Sequence, residues 1–221
     1  MLLSRVADNI YWMSRYIERA SNLARFLEVS YQLNLDQSSL DDEQWAPLIE
    51  ITGDMKLFTA RYGEMTRDNA MHFLMFNPEY ANSIARCLST ARSIAKGMRE
   101  TLSDDMFWEI NALGRLVPDA TKEKVQFHKR VLDLCREVKR GAMLIEAMAS
   151  ETIERGQGYH FWRVARYLER ADKTSRLLHV KYFHLLPLNP VSFLLNLLQV
   201  FLIRIVLCRQ PTVLMERLQT K

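Results

Sequence analysis

The feature that most limits what this chain can become is a charged helix written twice. Residues 10–31, IYWMSRYIERASNLARFLEVSY, recur at an offset of 151 as residues 161–182, FWRVARYLERADKTSRLLHVKY. Nine aligned pairs are identical: Arg15/Arg166, Tyr16/Tyr167, Glu18/Glu169, Arg19/Arg170, Ala20/Ala171, Arg25/Arg176, Leu27/Leu178, Val29/Val180 and Tyr31/Tyr182. Any two amphipathic helices share apolar seams. They do not by default share RYxERA followed by the same later arginine, so the repeat reads as one structural unit used twice.

Helical periodicity runs through the rest of the chain. Val6, Ile10, Met13, Ile17, Ala20, Ala24, Leu27 and Tyr31 recur at steps of four and three, one face of a helix that Ser4 is placed to cap. A second helix is expected after Ser39, with Asp41, Asp42 and Glu43 against its positive dipole end. A third is expected from Glu64 to Phe76, stopped at Asn77-Pro78 because the residue before proline is pushed out of the helical region. Ile84, Leu88, Ala91, Ala95, Met98 and Leu102 give the next seam. Ser103-Asp104-Asp105 then reads as the cap and acidic first turn of a helix ending before Pro118. A long helix follows from about Thr121 to Arg155, with Val131, Cys135, Val138, Ala142, Ile145 and Ala149 in register. Gly156 is expected just past its end in a left-handed conformation, and the last helix runs from near Tyr159 to Leu185.

Seven glycines and six prolines in 221 residues are too few for a sandwich or barrel of many short strands. The fold class is therefore all-α, a multi-helix and mostly antiparallel bundle with the two repeat-related helices packed at its centre. Thirty basic against 26 acidic residues give a charge of only +4, which names neither nucleic acid nor membrane as a partner. Three cysteines without a CxxC pair, and an N-terminus without the features of a signal peptide, give the cytoplasm as the expected compartment.

Arg19 sits within a second stripe formed by Trp12, Tyr16, Leu23 and Phe26. A guanidinium there cannot shed its proton, so it needs a carboxylate or a bound anion. Glu18 is adjacent in sequence but points about 100° away around the helix. If the two repeat helices lie side by side about a pseudo-two-fold axis, Glu18 faces Arg170 and Glu169 faces Arg19. Two readings of that arrangement stand. In one the motif locks the helix pair in register. In the other it is a polar pocket, with Glu18 and Glu169 as acid or base. Arg19, Arg170, Arg15, Arg166, Arg25, Arg176, Tyr16 and Tyr167 then hold an anionic substrate.

The opening MLLSRVADNIYWMSRYIERASNLARFLEV resembles the start of Alpha-E domain proteins, a bacterial family named for its helices and its glutamate–arginine motif. Asn77-Pro78 with Ser83-Ile84, the stretch from Arg99-Glu100 through Trp108-Glu109 to Asn111, and ETIERGQGYHFWRVARYLERADKTSRLL at 151–178 carry the same resemblance, which runs to about residue 186. It implies a helical protein encoded beside, or fused to, circularly permuted ATP-grasp and transglutaminase-like proteins. A part in peptide synthesis or modification follows from that setting. The expected domains are an Alpha-E-like helical domain at 1–186 and an atypical hydrophobic tail at 187–221.

In that tail Glu216 stands alone against Arg204, Arg209, Arg217 and Lys221, and family members usually continue with further helices. A frameshift or truncation near Leu188 accounts for the change. The alternatives are membrane contact through residues 191–208, interrupted by Asn196, Gln199 and Arg204, and a hydrophobic helix completing the bundle.

Other chemistry leaves little trace. There is no HExxH or Glu-x-x-His, and His72, His128, His160, His179 and His184 share no ligand-spaced face, so no metal site is assigned. Gly156-Gln157-Gly158 lacks the third glycine of a dinucleotide fingerprint and no Walker lysine loop is present, so no cofactor is assigned. ERGQGYHFWR at 154–163 is the second candidate site. Its helix N-terminus can face an anion, and Tyr159, His160, Trp162 and Arg163 supply aromatic and cationic contacts; the plainer reading is a helix corner with core aromatics. Arg163, Arg166, Arg170 and Lys173 follow one stripe that could meet phosphates, but Glu169 and Asp172 adjoin it, and a salt-bridged face is the expectation over nucleic-acid binding.

Overall fold

The computed structural model describes residues 2–35, 45–120 and 127–185, with side chains at 2–32, 45–120 and 130–180. Among the described residues it contains eight α-helices and no strand: α1 (Ser4–Leu35), α2 (Ala46–Thr52), α3 (Met55–Tyr62), α4 (Arg67–Met71), α5 (Ile84–Gly97), α6 (Asp104–Ala120), α7 (Phe127–Thr152) and α8 (Gln157–Leu185). The chain divides into two compact units, Met1–Lys173 and Thr174–Lys221. All that follows on packing concerns the first. The expected starts near Ser39 and Thr121, and the tail from 187 on, lie outside the described residues.

Four helices form a ring in which α1 and α6 each pack against both α5 and α7. Neighbours in the ring are antiparallel. Glu28, late in α1, meets Lys139 in mid-α7, while Leu2 and Ile10 lie near Thr152 and Ile153 at the other end. Ser103 at the head of α6 meets Thr152 at the foot of α7, and Arg92 of α5 donates to Asn111 Oδ1 of α6 at 2.6 Å. The apolar seams face inward as their spacing requires. Ile10, Met13, Ile17, Ala20, Ala24 and Leu27 of α1, and Val131, Cys135, Val138, Ala142, Ile145 and Ala149 of α7, are all buried. The opening stretch of α8 flanks α1 and α7, and it runs parallel to α1, a parallel contact beside the antiparallel ring.

Several local expectations are corrected. Ser4 is the first helical residue and not the cap; the Leu3 carbonyl accepts from Val6 and Ala7. The helix expected at 64–76 starts only at Arg67, because Gly63 (φ 69°) closes α3 and Thr66 Oγ1 caps α4 by accepting from Asn69 N. It then widens into a π turn, His72–Phe76, closed by Asn77 N donating to His72 O at 3.0 Å. The wider turn lets four consecutive residues, Phe73 to Phe76, all bury, which a 3.6-residue turn does not allow on one face. The seam Ile84–Leu102 is split at Gly97, and a 3₁₀ turn at Arg99–Thr101 brings Met98 and Leu102 back into the core.

Pro118 lies inside α6, two residues before its end, where the missing N–H forfeits a single bond to the Gly114 carbonyl. Gly156 does not take a left-handed conformation; only Gly53 and Gly63 do among the described residues. Ser103 does cap α6, accepting from Met106 N at 3.4 Å.

Helices α5 and α6 approach closely at Gly114, where an added Cβ would lie 2.6 Å from Arg92 Cβ and 3.0 Å from the Leu88 carbonyl oxygen. Gly114→Ala is therefore expected to push α5 from α6 and lower stability by about 1–3 kcal/mol in urea unfolding. Gly97→Ala, with open space around its Cβ, is the matched control and should show no such loss. Equal midpoints for the two variants would remove the close-approach account.

Candidate functional site

The parallel pair α1 and α8 is built by contacts that climb both helices together. Leu2 N donates to Gln157 Oε1 at 3.1 Å and Ser14 Oγ donates to the Trp162 carbonyl at 2.8 Å. One turn further the twin motifs meet crosswise. Arg19 Nε donates to Glu169 Oε1 at 2.8 Å, and Arg170 Nε donates to Glu18 Oε1 at 2.8 Å. The arginine four residues earlier on each helix joins the same carboxylate: Arg15 Nε reaches Glu169 Oε2 at 2.6 Å, and Arg166 Nε reaches Glu18 Oε2 at 3.2 Å. Each glutamate thus accepts from both repeat arginines of the opposite helix. Side chains at i and i+4 share a helix face, so the spacing Arg15–Arg19 and Arg166–Arg170 makes a two-pronged clasp for one carboxylate.

The symmetry is broken by what surrounds it. Glu169 is fully buried, a second Arg19 bond (Nη2 to Oε2, 3.0 Å) makes that pair bidentate, and Lys173 Nζ stands 4.0 Å away. Arg19 also donates to Asn82 Oδ1 at 2.7 Å, and Asn82 in turn donates to Asp54, which accepts from Tyr80 OH. Burial opposes ionisation of Glu169, but the Arg19 hydrogen bond and the charges of Arg19, Arg15 and Lys173 outweigh it and hold the carboxyl below its ordinary range. On the other side Glu18 is buried, whereas Arg170 is 45% exposed. Here α7 supplies a third acid: Glu146 accepts from Arg166 Nη1 at 2.5 Å and from the Trp162 indole N–H at 2.7 Å, with Arg163 at 3.6 Å. Asn22 stands at the repeat position of Lys173, and its Nδ2 is buried without a hydrogen-bond partner.

Six cations and three carboxylates thus interleave between α1, α7 and α8. A match to a family model decides where this arrangement belongs. The model, described as a predicted alpha-helical domain with a conserved ER motif, matches residues 2–207, most of the chain and beyond residue 186, where the motif-based resemblance ends. The chain belongs to the Alpha-E family. Glu18-Arg19 and Glu169-Arg170 are both ER dipeptides, and in this Alpha-E chain they serve each other. Uncharacterised proteins of Mycobacterium bovis and Mycobacterium tuberculosis are 23% identical to it over 194 residues, covering 79% of this chain but 22% of theirs. The chain spans about a fifth of the length of these curated relatives. No solved structure matches it.

The other candidate residues of the Alpha-E chain divide. Tyr16 lies beneath Arg19, its ring centroid 5.7 Å from the guanidinium carbon. Its repeat mate Tyr167 instead stacks with Arg163 at 4.9 Å and is half exposed. Arg25 is exposed and stands outside the clasp, and Arg176 lies in the second unit. At the 154–163 corner Trp162 is core, Tyr159 lies between Arg155 and Arg163, and His160 is exposed. The arginine stripe of α8 is engaged by Glu18 and Glu146, while Lys173 faces Glu169.

Sequence reasoning missed Glu146, Asn82 and Asp54. Only Glu146 carried a signal, standing beside Ile145 of the α7 seam and hence at the edge of the buried face. Buried Cys87 approaches the same cluster, and burial pushes its thiol up to about 12, which favours the protonated thiol over the thiolate. Among the described residues no helix is long and apolar enough to cross a membrane; residues 191–208 are not among them.

Proposed function

We propose that this Alpha-E chain is a non-catalytic helical component of a peptide-bond-forming or peptide-modifying system, working with ATP-grasp and transglutaminase-like proteins. The observation that carries the non-catalytic half is the saturation of both motif carboxylates. Glu18 and Glu169 each accept from two arginines and are buried. Glu169, buried and held below the ordinary carboxyl range, stays ionised near neutral pH and is a poor proton shuttle, and Arg15, Arg19, Arg166 and Arg170 are each already turned to a carboxylate of the opposite helix. The motif works as a clasp that fixes α8 on α1.

The partnering half rests on the family resemblance and on length. In the mycobacterial relatives the matched region is 22% of the chain, so there the helical domain is one part of a much longer protein. The domain of the present chain would then work beside comparable modules, whether joined to it or separate. The test is co-purification of the full chain with ATP-grasp and transglutaminase-like proteins, the partners that the family resemblance implies, co-expressed from the same organism. Retention of either through size-exclusion chromatography is expected. Elution of all three as separate species would overturn the reading.

A further inference from the structure

Away from the clasp, a cavity of about 300 Å³ opens beside the π turn, between it, the head of α5 and the end of α6. Its floor is apolar, formed by Phe76, Pro78 and Pro118, and its polar wall is His72, Arg86 and Ser89. The volume is at the small end of ligand pockets, which combine apolar lining with a few placed polar groups. π turns inside helices recur at functional sites.

The histidine is held by a directed chain. Asn77, 1% exposed, accepts at Oδ1 from the backbone N–H groups of Glu79 (2.9 Å) and Tyr80 (3.2 Å), which fixes which end of its amide is oxygen. Its Nδ2 therefore donates to Tyr62 OH at 3.1 Å. With that acceptor side occupied, the phenol proton is directed at His72 Nδ1, 2.7 Å away. Partial desolvation, with the nearby Arg61 charge, keeps the His72 pKa below the ordinary imidazole value, so the ring is neutral at pH 7. Its single proton then sits on Nε2, on the side of the ring that Tyr62 leaves open. Arg86, the third residue of α5, enters no ion pair among the described residues, and its charge is available at the same wall.

We propose that this cavity binds a small organic carboxylate, gripped by the Arg86 guanidinium and the His72 Nε2–H, with its apolar body against Phe76, Pro78 and Pro118. A guanidinium and a neutral N–H donor lining the same largely apolar pocket favour an anionic head on an apolar body over a bare inorganic anion.

Titration calorimetry on the full chain with acetyl-leucine, acetyl-leucinamide and inorganic phosphate tests this. The acid should bind one per chain, with the amide at least about tenfold weaker for want of the charge-assisted bond. Phosphate should be weaker than the acid. Arg86→Gln, an exposed position, should lose about tenfold for the acid while keeping its melting temperature. Nitrogen-15 NMR should find the His72 proton on Nε2, and shared between the Nε2–H and Nδ1–H tautomers of the neutral ring in Tyr62→Phe. No heat at millimolar acid, equal affinity for acid and amide, phosphate binding as tightly as the acid, unchanged affinity in Arg86→Gln, or an Nδ1-protonated His72 would each overturn the proposal. The acid–amide comparison uses the unaltered chain and stands even if a variant fails to fold.

Discussion

Glu169→Ala is expected to lower unfolding stability by about 3–5 kcal/mol, the loss seen when one partner of a buried ion pair is removed. Against a total of about 5–15 kcal/mol for a domain, that brings the chain near its unfolding threshold. The physical reason lies in what is left behind. Arg15 and Arg19, with side chains only 17% and 15% exposed, would lose the carboxylate they share, and Lys173, at 9%, would stand beside them with Asp172 at 3.7 Å as its neighbouring acid. Glu18→Ala should cost less, because Arg170 is 45% exposed and can turn to water while Arg166 keeps Glu146. Urea unfolding of both variants measures the difference, and equal losses would refute the asymmetry.

The pH dependence has a definite sign. The folded-state pKa of Glu169 is depressed, so the unfolded chain takes up its proton first as pH falls. The pair's contribution is complete above the ordinary carboxyl pKa of 4.5 and is lost as pH drops through the lower folded value. The stability gap between the parent chain and Glu169→Ala should therefore be constant near neutrality and narrow below about pH 4.5. A gap that widens in acid would contradict an ionised Glu169.

The crosswise clasp could be read from the sequence because it obeys a symmetry that the sequence itself displays. A residue and its mate at an offset of 151 sit at the same height on parallel helices, so Glu18 must meet Arg170 if Glu169 meets Arg19. The seams of α1, α5 and α7 were legible for a similar reason, since a core face has to recur with the helical period. What surrounds the clasp was far less legible, Glu146 signalling only by its place at the edge of the α7 seam. Asn82 and Asp54 reach it from connecting segments whose positions depend on the whole bundle, and Glu146 has no repeat mate to advertise it. The π turn was hidden because one inserted residue shifts the apolar spacing no more than an ordinary irregularity in a seam does. Gly156 shows the limit of residue type as a guide: glycine permits a left-handed backbone without requiring it, and the turn into α8 here does not use one.

Trp162→Ala is expected to destabilise the chain by about 3–5 kcal/mol, the range for removing a buried tryptophan. Trp162 joins two kinds of contact at the point where α8 leaves its corner. Its ring is 2% exposed within the core, and its indole N–H donates to Glu146 Oε2 at 2.7 Å. Its own carbonyl accepts from Ser14 Oγ, which ties α8 to α1 just below the clasp. Trp162→Phe separates the terms: it keeps much of the ring's packing but takes one donor from Glu146, an acid whose side chain is only 15% exposed. Loss of a donor to a charged group costs about 1.5–3 kcal/mol, and Arg166, bound to the other oxygen, compensates part of it. Phe should therefore fall between parent and Ala in chemical unfolding. If the Phe variant were as stable as the parent, the Glu146 bond would contribute nothing, and if it matched Ala, the hydrogen bond and not the packing would be what seats α8. In combination with Glu146→Gln, the Phe substitution should cost less than on the parent background, because Trp162 and Glu146 act on each other and their effects cannot add.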